Sequence, residues 1–147
     1  MRFAHVAPVM LLVLAACHHE ATLSADHGWV RLPAVPGHPG AAYLVIHGGP
    51  VPARLLAVES KAAGASELHE SMATGRGGAT GMARLDGVDV PAHGELRFAP
   101  GGRHVMLFGL SPAWKAKGRM PLSLRFATGQ SLTVDAMVVG AGDAAPY

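Results

Sequence analysis

The 147-residue sequence has a single cysteine, Cys17, which excludes a disulfide scaffold and every zinc module built on paired thiols. Charge is scarce: 15% of residues are charged and 50% are hydrophobic, a balance that excludes a disordered chain. The 12 basic and 10 acidic residues leave a net charge of +2, and the basic ones are scattered. The clustered Lys and Arg of a nucleic-acid interface are therefore missing, and steering by net charge is weak. No His-Glu-x-x-His, no Gly-x-Ser-x-Gly elbow and no Ser/His/Asp order is found, so no acid, base or nucleophile constellation suggests an enzyme. The glycine-dense stretch Gly75–Gly81 lacks the strand-to-helix transition that a phosphate cradle requires. No stretch longer than about ten residues carries a helical 3.6-residue period.

What is present begins with an address. Residues Met1 to Ala16 comprise one positive residue, Arg2, and an apolar run from Ala7 to Ala16 that is too short to span a bilayer of roughly 30 Å. This is an export signal. Its end, Leu14-Ala15-Ala16-Cys17, resembles the lipobox of bacterial lipoproteins, so cleavage before Cys17 and lipidation of its thiol are expected. Several acyl chains on one residue give stable membrane anchoring. The mature chain would then hold no free thiol, which suits an oxidising envelope. The expected organisation is a signal at residues 1–16, a lipidated tether at 17–26, one domain at 27–140 and a short tail at 141–147. A monomer attached to the membrane only through its lipid is expected, in the periplasm of a Gram-negative-type bacterium.

The domain reads as short strands. Apolar stretches at His27–Leu32, Ala42–His47, Arg54–Glu59, Ala65–Glu70, Thr80–Leu85, Glu95–Phe98, His104–Leu107, Leu122–Phe126 and Ser131–Val138 are punctuated by Gly and Pro. Glycine supplies positive φ and proline fixes φ, so these clusters mark turns. Alternation is strict in Leu122, Leu124 and Phe126 against Ser123 and Arg125. Many short strands with regular turns predict an all-β, antiparallel Greek-key sandwich or barrel. Pro112–Lys117 could form one helical turn.

Nine His and seven Met remain to be explained. In a strand through Arg103–Phe108, His104 and Met106 point one way while Val105 and Leu107 point the other. A hairpin through Gly75–Gly78 would bring His69 and Met82 together, with Met72 nearby. Each locus thus offers one imidazole and one thioether. A thioether is a soft, neutral ligand suited to Cu(I) and poor for Zn, Mg, Ca or Mn. Two imidazoles and two thioethers carry no ligand charge, which favours the monovalent ion, and no disulfide can consume them. Taken singly, a strand Met is most often core filler and a lone His a surface residue. His27, His38, His47 and His93 lie in or beside turns and read as surface positions without a matching partner. His18 and His19 read as spacer.

The segments Glu67-Leu68-His69-Glu70-Ser71-Met72, Gly81-Met82-Ala83-Arg84-Leu85, Val90-Pro91 and Pro100–Leu110 resemble the periplasmic copper chaperones called PCuAC. That family's signature is a His, roughly ten residues, a Met, 21 residues, then His-x-Met. Here Met82 and His104 enclose 21 residues, and His104-Val105-Met106 completes the motif. His69 and Met82 enclose 12, the surplus falling in the glycine-rich turn, where a loop lengthens at little thermodynamic cost. Gly28-Trp29-Val30-Arg31 and Ala41-Ala42-Tyr43-Leu44 resemble the family's opening strands, and the likeness covers roughly residues 27–138. The resemblance implies a cupredoxin-like β-sandwich with His69, Met82, His104 and Met106 as Cu(I) ligands. Met72 is a possible substitute or addition to that set, and Phe108 and Trp114, with Met72, are candidate walls of the site. It implies delivery of copper toward cytochrome c oxidase assembly, the acceptor being an oxidase subunit or a Sco-type protein. The tail Gly140–Tyr147 has neither His nor Met, so a single site is expected. The alternatives are a copper buffer or resistance lipoprotein without a dedicated client, and a metal-free structural sandwich.

Overall fold

The computed structural model describes residues 22–74 and 79–147. The expected signal segment, Cys17 and the turn at 75–78 lie outside the described residues. Ten strands follow one another along the chain: β1 (Ser24–Arg31), β2 (Gly40–His47), β3 (Ala53–Glu59), β4 (Ala65–Thr74), β5 (Ala79–Leu85), β6 (Val88–Val90), β7 (Glu95–Phe98), β8 (Arg103–Phe108), β9 (Arg119–Phe126) and β10 (Ser131–Val139). A single-turn helix, α1 (Trp114–Lys117), precedes β9. All nine expected strands form, most of them longer by one to four residues. The tenth, β6, is Val-Asp-Val between Gly87 and Pro91, too short for any period to be visible. β1 begins at Ser24, inside the stretch expected to be tether.

Hydrogen bonding joins the strands in the order β5-β4-β8-β2-β1-β10-β9-β3-β6, with β7 pairing β2. Every pair is antiparallel except β1 with β10. The sheet curls until β3 packs against β4 and β6 against β7, a nearly closed barrel in keeping with the all-β expectation. Curling is helped by bulges in β1, between Asp26 and Trp29, and in the β3–β9 pair, between Leu55 and Ala57.

Alternation decides which side chains fill the interior. In β9, Met120, Leu122, Leu124 and Phe126 are buried while Arg119, Pro121, Ser123 and Arg125 are exposed. Leu68, Val105 and Leu107 contribute the inner faces of β4 and β8 to the same core. β2 is buried on both faces: Ala42, Leu44 and Ile46 join the core, whereas Tyr43 stacks outside on Trp29 at 4.3 Å between ring centroids. The chain after β10 is tied down by Arg31, whose guanidinium donates to the carbonyls of Ala141 (2.9 Å) and Asp143 (2.8 Å).

Candidate metal centre

Strands β5, β4 and β8 lie side by side at one edge of the sheet, and their register assembles the site. Opposed residues of an antiparallel pair share a face, as do residues two apart in one strand. His69 of β4 is opposite His104 of β8 and Arg84 of β5; Glu67 is opposite Met106; Ser71 is opposite Met82. His69, Met82, His104 and Met106 therefore share one face, the outer one, because Leu68, Val105 and Leu107 turn inward. The two imidazole rings stand 5.9 Å apart between centroids, tilted by 34°. His104 is 8% exposed and the His69 side chain 13%, whereas Met82, on the edge strand, is 58% exposed. The site is thus closed on its histidine side and open at Met82.

Each ring is held by one nitrogen. His104 Nδ1 lies 3.0 Å from the carbonyl of Gly102, which also accepts the backbone N–H of Ser71 at 3.1 Å. This shared acceptor ties the β7–β8 turn to β4. His69 Nε2 lies 2.9 Å from a carboxylate oxygen of Glu67, whose other oxygen accepts from Arg84 at 3.2 Å. The hydrogen bond from His69, with the Arg84 charge beside it, holds the Glu67 carboxyl below its ordinary 4.5, against a smaller opposing effect of burial. His69 Nδ1 is buried and has no hydrogen-bond partner among the described residues. Sequence reasoning missed Glu67, because a charge alternating with apolar residues in a strand reads as a solvated position.

The remaining expected neighbours separate. Phe108 shares the face of Met106, two residues along β8, and is opposite Ala65. Met72 is three residues from His69 in a strand whose pairing with β5 runs without a shift, so pleating puts it on the opposite face. It is 47% exposed, and the expectation that it joins or replaces a ligand is corrected. Trp114 is corrected too: α1 packs on β9 and β10, and the indole leans on the core beneath Lys117 Nζ at 4.2 Å. The tryptophan that shares the face of His69, His104 and Met106 is Trp29. It is paired with Tyr43, two residues along β2 from Ala41, and Ala41 is opposite Met106.

His27 is exposed as expected, and His47 is half-buried. Both meet Asp26: His27 Nδ1 bonds Oδ1 at 2.6 Å, and His47 Nε2 lies 3.0 Å from Oδ2, while His47 Nδ1 lies 3.3 Å from Glu95. Among the described residues, however, no group of three or more His, Cys, Asp or Glu is placed to hold a metal.

The family model described as "Putative lipoprotein LpqE-like" matches residues 23–138. The chain belongs to this LpqE-like family. A relative from Leifsonia xyli subsp. xyli (strain CTCB07), "Putative lipoprotein Lxx21020", is 37% identical over 75 residues, 51% of this chain. The matched stretch spans 45% of that relative's length. Among solved structures, the copper-bound PCuAC domain from PmoF2 superposes with a TM-score of 0.64 at 25% identity, covering 83% of this chain and 98% of that one. The Cu(I) form of DR1885 from Deinococcus radiodurans gives 0.63 at 26% identity, over 84% and 82% of the two chains. The LpqE-like chain thus has the cupredoxin-like fold of PCuAC domains, as the resemblance implied.

Proposed function

We propose that this LpqE-like protein is a Cu(I) carrier that holds one ion through His69, Met82, His104 and Met106. The observation that carries the reading is the strand register: it sets two imidazoles opposite each other and puts two thioethers on the same face. The donor set is soft and uncharged, and the nearby Glu67 carboxylate is matched by Arg84, so the surroundings favour a monovalent soft ion over a divalent one. Two solved relatives, the PmoF2 domain and DR1885, are copper-bound.

A carrier must release what it binds. The exposed thioether of Met82 is the ligand that an incoming group from an acceptor displaces first, while the buried ring of His104 holds the ion until last. Copper is cargo here, and the function proposed is its transfer. The acceptor we favour is the dinuclear copper site of cytochrome c oxidase, reached directly or through a Sco-type protein. Anchoring through a lipidated Cys17 would keep the carrier at the membrane that houses such an acceptor.

The test is Cu(I) titration against a competing chelator. His104→Ala and Met106→Leu should each weaken binding by more than about a hundredfold, since even outer-shell partners of a metal site are worth about 10–100-fold. Unchanged affinity in both variants would remove the site assignment. Deleting the gene should lower oxidase activity if the protein serves that acceptor. Loss of copper tolerance with normal oxidase activity would instead mark a buffer.

A further inference from the structure

The hydrogen bonds on the ligand face settle which nitrogen of each ring is free. A carbonyl oxygen can only accept, so the contact from His104 Nδ1 to Gly102 requires the proton on Nδ1 and, in the neutral ring, leaves the lone pair on Nε2. The carboxylate of Glu67 likewise only accepts, so the neutral ring of His69 carries its proton on Nε2. The lone pair of His69 is then on Nδ1, the atom that is buried without any partner among the described residues. A buried nitrogen left without a partner is destabilising unless something occupies it. Its position on the thioether face makes a metal ion the fitting occupant.

We infer that Glu67 is the positioning residue of the centre: it fixes His69 in the tautomer that offers Nδ1 to Cu(I), while the Gly102 carbonyl fixes His104 to offer Nε2. The inference rests on the Cu(I) reading above and assigns the donor atoms and the outer-shell partner within it. Glu67 is itself clamped. Arg84, opposite His69 on β5, holds one carboxylate oxygen while the other faces the ring. Metal-bound histidines commonly donate their second N–H to a carboxylate, which orients the ring and strengthens it as a donor.

The test uses the 15N-labelled protein without metal and with Cu(I). Long-range 1H–15N correlations in the metal-free protein should show His69 as the Nε2–H tautomer and His104 as the Nδ1–H tautomer. On adding Cu(I), the large nitrogen shifts should fall on Nδ1 of His69 and Nε2 of His104. Glu67→Ala should mix the His69 tautomers and weaken Cu(I) by about 10–100-fold. Glu67→Gln, whose amide oxygen still accepts from Nε2, should retain the tautomer and recover most of the affinity. Should Glu67→Ala unfold, the Gln variant and the wild-type spectra still decide. An Nδ1–H tautomer for wild-type His69, coordination through Nε2, or a folded Glu67→Ala with unchanged tautomer and affinity overturns the inference and leaves the copper reading standing. A wild-type protein that takes up no Cu(I) overturns that reading and this inference together.

Discussion

Among the methionines of the described residues, position and not residue type separates ligand from filler. Met120 is fully buried in the core, Met82 and Met72 are both exposed, and Met106 lies beside Glu67. A soft metal bound at the proposed site should therefore shield Met82 but not Met72, although the two lie on adjacent rungs of one hairpin. With Ag(I) as a redox-inert soft stand-in, peroxide should convert Met72 to sulfoxide at the same rate with and without metal, and should convert Met82 more slowly when metal is bound. Peptide mass spectrometry reads both. Equal protection, or none, would argue against the face assignment. The four proposed ligands were legible because a His and a Met recur at two loci with the spacing of a strand and a hairpin. Glu67 was not legible, because nothing in Glu-Leu-His shows whether a carboxylate two residues from a histidine will reach its ring.

At the scale of the strands, β1 is pinned at its bulge by charge. His27, with φ of 49°, bonds Asp26, and His47 bridges from Asp26 toward Glu95, which Arg97 also holds. The hydrogen bond from His27 is the largest influence on the Asp26 carboxyl, followed by an opposing effect of burial and then by His47; the net result lies below the ordinary 3.8. A carboxyl whose folded pKa is depressed adds stability above its unfolded pKa, and that stability is lost as pH falls through the folded value. Asp26→Asn should therefore lower the denaturant midpoint at neutral pH, and its difference from wild type should shrink as the pH drops below about 4. A difference that stays constant with pH would contradict this. Packing limits the loops in the same way. A Cβ at Gly48 would collide with the carbonyl of Pro91, where Gly48 already donates to Gly94 at 2.7 Å. Gly48→Ala should cost about 1–3 kcal/mol in chemical denaturation, since the obstacle is backbone. Sequence showed Gly48-Gly49-Pro50 as a turn, yet the partner that demands glycine lies more than 40 residues away.

Over the whole molecule, alternation along strands determines the fold. Leu124→Ala should cost about 2–5 kcal/mol, while exposed Arg125→Ala next to it should stay within about 0.5 kcal/mol. Similar losses at both positions would mean that β9 does not lie in the register described. Period-two patterning made the strands readable, but it carries no information about which strand lies beside which. The parallel pairing of β1 with β10 and the placement of β8 next to β4 belong to the strand order of the whole sheet. For that reason Trp114, close in sequence to the His-x-Met motif, lies with β9 and β10, while Trp29, far away in sequence, shares the ligands' face. The central claim is that this strand order delivers two nitrogens and two sulfurs to one ion. X-ray absorption on the Cu(I)-loaded protein counts them directly. Two nitrogen and two sulfur neighbours are predicted, with one sulfur lost in Met106→Leu; a shell of nitrogen and oxygen alone would contradict the account.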